Sequence, residues 1–197
     1  MKVAEIFTSI QGEGHFLGVP ATFIRFMGCN LKCPFCDTKK TWADNAEAQD
    51  MSVLEIVAVV EARQIPLVVI TGGEPCLQAD LQELIDQLDL REFFVAIETN
   101  GTQATPSTDW ITCSPKADAD YQINYLCKFN ELKYVVTPDF DAAKAIPEEI
   151  RDMYKGNIWL QPEGSEMEDM WKKCYQLAME DPRLRVGVQL HKLMEVE

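Results

Sequence analysis

The chain has 197 residues, of which 47% are hydrophobic and 25% charged, and its formal net charge is −14. These values fit one domain spanning residues 1–197 with a core of its own, and the 18 basic residues, outnumbered by 32 acidic ones, argue against nucleic acid as a direct partner. The sequence shows no apolar stretch of the length of a membrane span or a signal peptide, so we expect a cytoplasmic protein.

Short apolar runs rich in β-branched residues predict strands at 3–7, 21–26, 67–70, 93–97, 110–113, 132–136, 157–160 and 185–190. Helical patterns lie between several of them, at 51–64, 79–90 and 165–180. The first helix has Ser52 and Glu55 in capping-box spacing, and the third has Ser165 as its candidate N-cap. This alternation predicts an α/β fold with a parallel sheet and right-handed crossovers.

Glycines, cysteines and reactive polar residues follow the predicted strands. The carboxyl ends of parallel strands are where β/α barrels and open α/β sheets bind their ligands. A full eight-fold barrel typically needs about 250 residues, which is more than this chain has. We therefore expect a partial, open barrel of about six units, with some helices shortened or missing, and a site at its carboxyl edge.

Three of the seven cysteines, Cys29, Cys33 and Cys36, lie in the loop 28–38 with the spacing C-x3-C-x2-C. Three thiolates on one loop can hold three corners of an iron–sulfur cluster and leave the fourth iron open to an exogenous ligand. A zinc site completed by His15 or His191 is the alternative, although zinc sites usually pair their cysteines as two knuckles. Three unrelated buried cysteines are a further alternative.

The other four cysteines, Cys76, Cys113, Cys127 and Cys174, stand alone in the sequence. Without a secretory signal, a disulfide framework is not expected, and a free cysteine is commonly a small buried apolar residue. We assign these four to packing.

The motif "TGGEP" (71–75) follows the next long strand after the cysteine loop. Gly72 and Gly73 allow a close backbone approach, and Glu74 offers an acceptor to an ammonium group, although the motif alone could be a plain turn. Together, in this order, the two motifs resemble the radical S-adenosylmethionine (SAM) superfamily. The resemblance implies a single radical SAM domain, a 4Fe–4S cluster on the three cysteines, and SAM chelating the open iron. It further implies SAM contacts from Phe35, Cys36, Asp37, Gly73, Glu74, Ser114, Pro115 and Lys116, although "SPK" (114–116) alone reads as a surface turn.

The stretch "EIFTSIQGEGHFLGVPATFIRFMGCNLKCPFCDT" and the later "VQLHK" resemble the 7-carboxy-7-deazaguanine synthase family. This resemblance implies a carbon–nitrogen lyase that converts 6-carboxy-5,6,7,8-tetrahydropterin to 7-carboxy-7-deazaguanine, a precursor of queuosine. In the mechanism that the resemblance implies, a 5′-deoxyadenosyl radical abstracts hydrogen, the ring contracts, SAM is regenerated and ammonia is lost. The implied partners are a reductant such as flavodoxin or ferredoxin and a second subunit in a homodimer.

Arg25 is the natural bidentate partner for the substrate carboxylate, unless it only pairs with a surface acid. Thr38 matches the family's magnesium-contacting threonine, and a hydroxyl oxygen suits Mg²⁺, although it could merely cap the loop. The resemblance also implies that His191 and Lys192 contact the substrate; alternatively, they belong to a solvated C-terminal segment. The remaining substrate contacts implied by the resemblance are Ile10, Gln11, Gly12, Glu13, Thr71 and Gln161.

Two other functions are compatible with some of these motifs. A glycyl-radical-enzyme activase would share the cysteine spacing and "GGEP" but would act on a partner protein's backbone, which leaves "IQGEG" and Arg25 unexplained. A non-catalytic iron–sulfur or zinc scaffold would leave "TGGEP" and "SPK" without a role.

Overall fold

The computed structural model describes residues 1–42, 48–116, 123–124, 127–164 and 167–196. Its strands are β1 Lys2–Ile10, β2 Pro20–Phe26, β3 Gln49–Asp50, β4 Leu67–Gly72, β5 Phe94–Thr99, β6 Trp110–Cys113, β7 Glu131–Val136, β8 Asn157–Pro162 and β9 Leu184–Val186. Its α-helices are α1 Val53–Arg63, α2 Leu81–Asp89, α3 Ala142–Ala145, α4 Glu148–Met153, α5 Met167–Glu180 and α6 Leu190–Leu193.

The strands form one sheet in the order β3-β1-β2-β4-β5-β6-β7-β8-β9. The ladders from β2 to β9 are parallel, whereas β1 pairs antiparallel with both β2 and β3. Among the described residues no ladder joins β3 to β9, so the sheet is open. The predicted open α/β architecture is therefore confirmed, with an antiparallel leading strand that the sequence pattern did not indicate.

The first two helices lie within their predicted ranges: α1 within 51–64 and α2 within 79–90. Ser52 Oγ accepts from the Glu55 N–H at 3.3 Å, and Glu55 Oε2 accepts from the Ser52 N–H at 2.8 Å, so the capping box is present. The α2 helix buries its apolar stripe of Leu81, Leu84, Ile85 and Leu88. Residues 100–109, between β5 and β6, contain no helix, as expected for a shortened barrel. The predicted cap Ser165 lies outside the described residues, and no described helix is long and apolar enough to cross a bilayer.

Both faces of the central strands are buried, which explains their unbroken apolar runs. In β4, Val68 and Ile70 pack in the core beneath α1 and α2, whereas Leu67 and Val69 pack in a separate cluster on the opposite, inner face of the sheet. A third cluster joins β7, β8 and α5 and contains Cys113, Cys127 and Cys174, which confirms the packing role predicted for these cysteines.

The inner face of β7 holds the loop that follows β1. The Glu131 carboxylate, only 1% exposed, accepts from Trp159 Nε1 at 2.6 Å, from Thr112 Oγ1 at 2.8 Å and from the His15 N–H at 3.1 Å. Because charged acceptors make the stronger hydrogen bonds, Glu131 ties this loop to β6 and β8.

The strand predicted over 185–190 is wrong in its second half. β9 ends at Val186, and the Gly187 N–H donates to Leu160 O at 2.8 Å. The Leu190 N–H then donates to Gly12 O at 2.9 Å, which carries the chain towards the loop after β1 and into α6. Tertiary hydrogen bonds thus override the local β propensity, and His191 and Lys192 stand on a short helix instead of at a strand end.

Candidate active site

A cavity of about 590 Å³ lies on the inner face of the open sheet, a size typical of a small-molecule site. It is bordered by the cysteine loop, the loop after β1, the inner faces of several strands and α6. The predicted site residues that border it are Ile10, Gln11, Gly12, Glu13, Arg25, Cys29, Cys33, Phe35, Cys36, Asp37, Thr38, Thr71, Gly73, Ser114, Lys116, Gln161, His191 and Lys192.

The cysteine loop follows β2 and presents its three thiols to this cavity. Gly28 begins the loop with φ +91°, a conformation that favours glycine, and its N–H donates to Thr41 O at 2.8 Å. A turn follows in which the Cys36 N–H donates to Cys33 O at 3.0 Å. These local bonds bring Cys29, Cys33 and Cys36 to one border of the cavity.

The donor set suits a cluster better than a single ion. In the part of the chain that the structure describes, no three His, Cys, Asp or Glu side chains are grouped as the ligands of one metal ion would be. His15, one candidate fourth ligand for zinc, instead stacks on Trp110 with ring centroids 4.3 Å apart. In a 4Fe–4S cluster each cysteine ligates a different iron, so the thiols need not meet at one point. Three thiols on one short loop therefore fit three corners of such a cluster.

The "TGGEP" loop packs directly on the cysteine loop. The Gly73 N–H donates to Phe26 O at 3.0 Å, and the Glu74 N–H donates to Gly28 O at 2.8 Å. A Cβ at Gly73 would lie 2.1 Å from Gly28 O, which no side chain could tolerate. Glycine is required at position 73 because the backbones of the two loops are in direct contact there. The close contact requires glycine whether or not a ligand also approaches this backbone.

The Glu74 side chain does not border the cavity. It is 0% exposed, and its carboxylate accepts from Thr99 Oγ1 at 2.7 Å, from the Asn100 N–H at 2.7 Å and from the Cys76 N–H at 3.0 Å. The side chain is therefore held by the loop after β5, and the predicted contact between this carboxylate and the SAM ammonium group stays a prediction. Pro115 is likewise buried without bordering the cavity.

Ser114 and Lys116 place a cation beside the cysteine loop. Lys116 Nζ donates to Ser114 Oγ at 2.9 Å and lies 6.0 Å from the centroid of the Phe35 ring. Burial lowers the pKa of Lys116, so an anionic ligand group that replaced the lost hydration would be bound favourably. The segment is therefore built into the site and is not a surface turn.

Lys133 on β7 also borders the cavity and bridges two acids. Its Nζ donates to Glu13 Oε2 at 2.6 Å and to Glu98 Oε2 at 2.7 Å, and the three side chains are only 11%, 14% and 17% exposed. Gln11 Nε2 donates to the other Glu98 oxygen at 3.2 Å. Burial raises the pKa of Glu98 despite the ammonium group, whereas for Glu13 the effect of burial is outweighed by Lys133 and the pKa is lowered. Burial also disfavours the charge of Lys133, but the two carboxylates raise its pKa.

A line of hydrogen bonds continues from this triad to the cysteine loop. Gln189 Nε2 donates to Glu13 Oε1 at 2.7 Å, and Lys192 Nζ donates to Gln189 Oε1 at 2.9 Å and to Asp37 Oδ2 at 3.1 Å. Thr38 Oγ1 donates to Asp37 Oδ1 at 3.0 Å and makes no cap bond to the 3₁₀ turn that follows it. Lys192 is exposed, like the residues after it, but its ammonium group borders the cavity, and its predicted contact with the substrate stays a prediction.

Arg25 keeps part of its guanidinium available to a ligand. Its Nε donates to Glu5 Oε1 at 2.7 Å, and its guanidinium carbon lies 5.5 Å from the centroid of the Phe7 ring. Within the described ranges its other two guanidinium nitrogens have no protein partner. The pairing with Glu5 fixes the side chain without excluding a carboxylate ligand.

The buried side-chain amide of Gln161, near the end of β8, indicates that the cavity binds a ligand. The residue is 3% exposed, and neither its Nε2 nor its Oε1 has a hydrogen-bond partner among the described residues. Buried polar atoms are nearly always hydrogen-bonded, and this amide borders the cavity. An occupant that both donates and accepts hydrogen bonds would satisfy it.

The geometry agrees with the comparisons to known proteins. The pattern of the radical SAM superfamily matches residues 23–113. The 7-carboxy-7-deazaguanine synthase of Bacteroides thetaiotaomicron is 40% identical over 197 residues, covering 99% of this chain and 98% of that protein. The synthase of Escherichia coli K12 is 35% identical, with 98% of both chains covered. The crystal structure of QueE from Escherichia coli superposes with a TM-score of 0.82 at 31% identity, covering 96% of this chain and 94% of that one.

This chain belongs to the 7-carboxy-7-deazaguanine synthase family. Within this synthase fold, the polar residues of the cavity that were not assigned from the sequence include Glu98, Lys133 and Gln189. Lys133 carried a usable signal, since a lysine inside the apolar run "LKYVV" must be paired if that strand is buried. Glu98 follows an apolar run as other site residues do, and Gln189 lies inside the predicted strand 185–190, so nothing local distinguishes either residue.

Proposed function

We propose that this protein converts 6-carboxy-5,6,7,8-tetrahydropterin to 7-carboxy-7-deazaguanine with loss of ammonia, using SAM catalytically. The observation that carries the proposal is that one cavity is bordered both by the three cysteines and by a set of polar side chains. We call this set the polar wall; it consists of Gln11, Glu13, Glu98, Lys133, Gln161 and Gln189. The full-length similarity to synthases supports the same reaction.

The cysteine border of the cavity is the proposed cofactor end. Cys29, Cys33 and Cys36 would hold the cluster, which together with SAM would supply the radical chemistry of the reaction. Lys116 and Ser114 offer donors to the SAM carboxylate, with Phe35, Asp37 and the Gly73 backbone beside them. Glu74 and Pro115 act indirectly, by fixing the loops that carry these groups.

The rest of the cavity border is the proposed substrate end. The free edge of the Arg25 guanidinium binds the pterin carboxylate, because a guanidinium can hold it with two parallel hydrogen bonds. Gln161 supplies both a donor and an acceptor, and the Glu13 and Glu98 carboxylates accept from ring N–H groups. Contacts at the border are completed by Ile10, Gln11, Gly12, Thr71, His191 and Lys192.

In this proposal Mg²⁺ would bind at the cysteine loop, where Asp37 and Thr38 border the cavity. Thr38 offers a hydroxyl oxygen, and its hydrogen-bond partner Asp37 offers a carboxylate, both of which are ligands that Mg²⁺ accepts. The substrate carboxylate and water would fill the remaining positions.

A low-potential reductant of the flavodoxin or ferredoxin type, a homodimeric assembly and a cytoplasmic location complete the proposal. A cluster held by cysteine thiolates needs a compartment in which thiols stay reduced, and this supports the location. The radical SAM chemistry requires an electron from outside the chain, and this supports the reductant.

The test is an anaerobic assay of reconstituted protein with SAM, reductant, Mg²⁺ and 6-carboxytetrahydropterin, with products identified by mass spectrometry. We expect 7-carboxy-7-deazaguanine, and we expect Cys33→Ala to lose both the product and the cluster absorbance. Cys174→Ala is the matched control, because Cys174 is a buried cysteine of α5 remote from the loop. Cleavage of SAM without a new heterocycle would contradict the proposal and favour an activase.

A further inference from the structure

Lys133 lies on the inner face of β7, and its two neighbours in sequence, Leu132 and Tyr134, pack in an apolar cluster. Its ammonium group belongs to the proposed substrate end. The strand alternates so that Glu131, Lys133 and Val135 share one face. Glu131 ties the loop after β1 to the sheet, whereas Lys133 reaches into the cavity and bonds Glu13 of that loop and Glu98 of β5. The ammonium group therefore joins three separate chain segments at a single point.

Glu13 and Glu98 are close enough to bind the same ammonium group. Two buried carboxylates in this arrangement repel each other unless a cation lies between them. Without that cation, either one carboxyl group takes up a proton and becomes a donor, or the two side chains separate. Either change would spoil an acceptor surface. The charged and titratable groups that face the triad from the surrounding elements are Glu131 on β7, Lys116 after β6, Asp37 in the cysteine loop, and His191 and Lys192 on α6.

We propose that Lys133 is a positioning residue that holds Glu13 and Glu98 side by side as ionised acceptors for a heterocycle edge rich in N–H donors. This inference rests on the proposed function and names how its substrate end is assembled. Lys133 itself donates to the two carboxylates and need not touch the substrate. The ring edge that fits carries adjacent amino and ring N–H groups, as an aminopyrimidinone does.

Binding of the air-stable product 7-carboxy-7-deazaguanine tests the proposal. Isothermal titration calorimetry is performed on protein loaded with cluster and SAM, over a pH series from mildly acidic to neutral. We expect Lys133→Met to weaken binding about tenfold or more, since it leaves buried charges uncompensated. Loss of the ammonium group raises the pKa of both carboxyl groups, so the fall in affinity on the acid side should begin at a higher pH than in the parent protein.

Two variants separate positioning from folding. Lys133→Arg keeps the charge and should retain the parent's acid limb, and Lys133→Met combined with Glu98→Gln removes one negative charge with the positive one and should bind more tightly than Lys133→Met alone. Lys172→Met, at an exposed lysine of α5, is the matched control and should bind like the parent.

The outcomes are distinguishable. If the parent protein itself binds no product, the proposed function fails. If the parent binds and Lys133→Met binds with the same affinity and pH dependence as Lys172→Met, the role of Lys133 is overturned. The role is also overturned if Lys133→Met binds the product weakly and neither Lys133→Arg nor the double variant binds it more tightly. A residue with a merely structural role would give that result.

Discussion

A single substitution at Gln161 should have opposite effects on the stability of the protein without ligand and on its affinity for the ligand. Gln161→Leu replaces the amide by an apolar group of similar size at a position that is 3% exposed. Among the described residues the amide has no partner, so its removal deletes a group that the protein leaves unsatisfied and adds apolar burial. The substitution should therefore stabilise the empty protein while weakening ligand binding.

The expected magnitudes follow from the two unpaired atoms, Nε2 and Oε1. Leaving one buried polar group unsatisfied costs about 1–3 kcal/mol, which is the gain in the free energy of unfolding that we expect for Gln161→Leu. In the complex the ligand would lose the same partner, and a similar free energy corresponds to roughly a 5- to 150-fold increase in Kd.

Urea unfolding and calorimetric titration with 7-carboxy-7-deazaguanine measure the two effects. The matched control is Thr22→Val on β2, which removes another fully buried oxygen that has no partner among the described residues and that does not border the cavity. Thr22→Val should raise the free energy of unfolding and leave Kd unchanged.

A destabilised Gln161→Leu protein with an unchanged Kd would refute the reasoning. That result would mean that the amide is satisfied in the empty protein and does not face the ligand. Equal effects of Gln161→Leu and Thr22→Val on Kd would also refute it, because the second residue lies outside the cavity.

Further predictions concern the substrate carboxylate, the anchor of the loop after β1 and the first helix. Arg25→Ala should raise KM for the pterin about tenfold or more with unchanged iron content, and an unaltered KM would remove Arg25 from the site. Glu131→Gln should lower the free energy of unfolding by about 2–3 kcal/mol, because charged acceptors make the stronger hydrogen bonds, and should alter the emission of Trp159, its indole partner. Wild-type stability in urea would contradict that role. Ser52→Ala should cost about 1 kcal/mol of stability through loss of the cap, with activity unchanged, and an intact urea midpoint would show that the capping box contributes nothing.

Much of the sheet was predictable because its strands are buried on both faces. The run "LVVI" divides its side chains between two apolar clusters, so an unbroken apolar pattern is the signature of such a strand. The same reasoning failed at residues 187–190, where hydrogen bonds to Leu160 and Gly12 end the strand. The helices α3 and α4 are too short to show a helical period.

The cofactor end was more accessible to sequence reasoning than the substrate end. The cysteines and glycines act within one loop or between adjacent loops, so their spacing carries the information. Lys133 pairs with Glu13 across 120 residues, and no local pattern encodes that meeting. The direction of the Glu74 side chain depends on donors from the loop after β5, which only the folded chain supplies.

The bonds between Gln189 and Glu13 and between Lys192 and Asp37 join residues 176 and 155 positions apart. During synthesis on the ribosome, the loop after β1 and the cysteine loop emerge long before the segment that completes them. The nascent chain can pair its early strands, but the polar wall of the cavity must wait for the residues near 190. Contacts of such separation form late, so we expect the substrate site to be complete only after translation has passed α6.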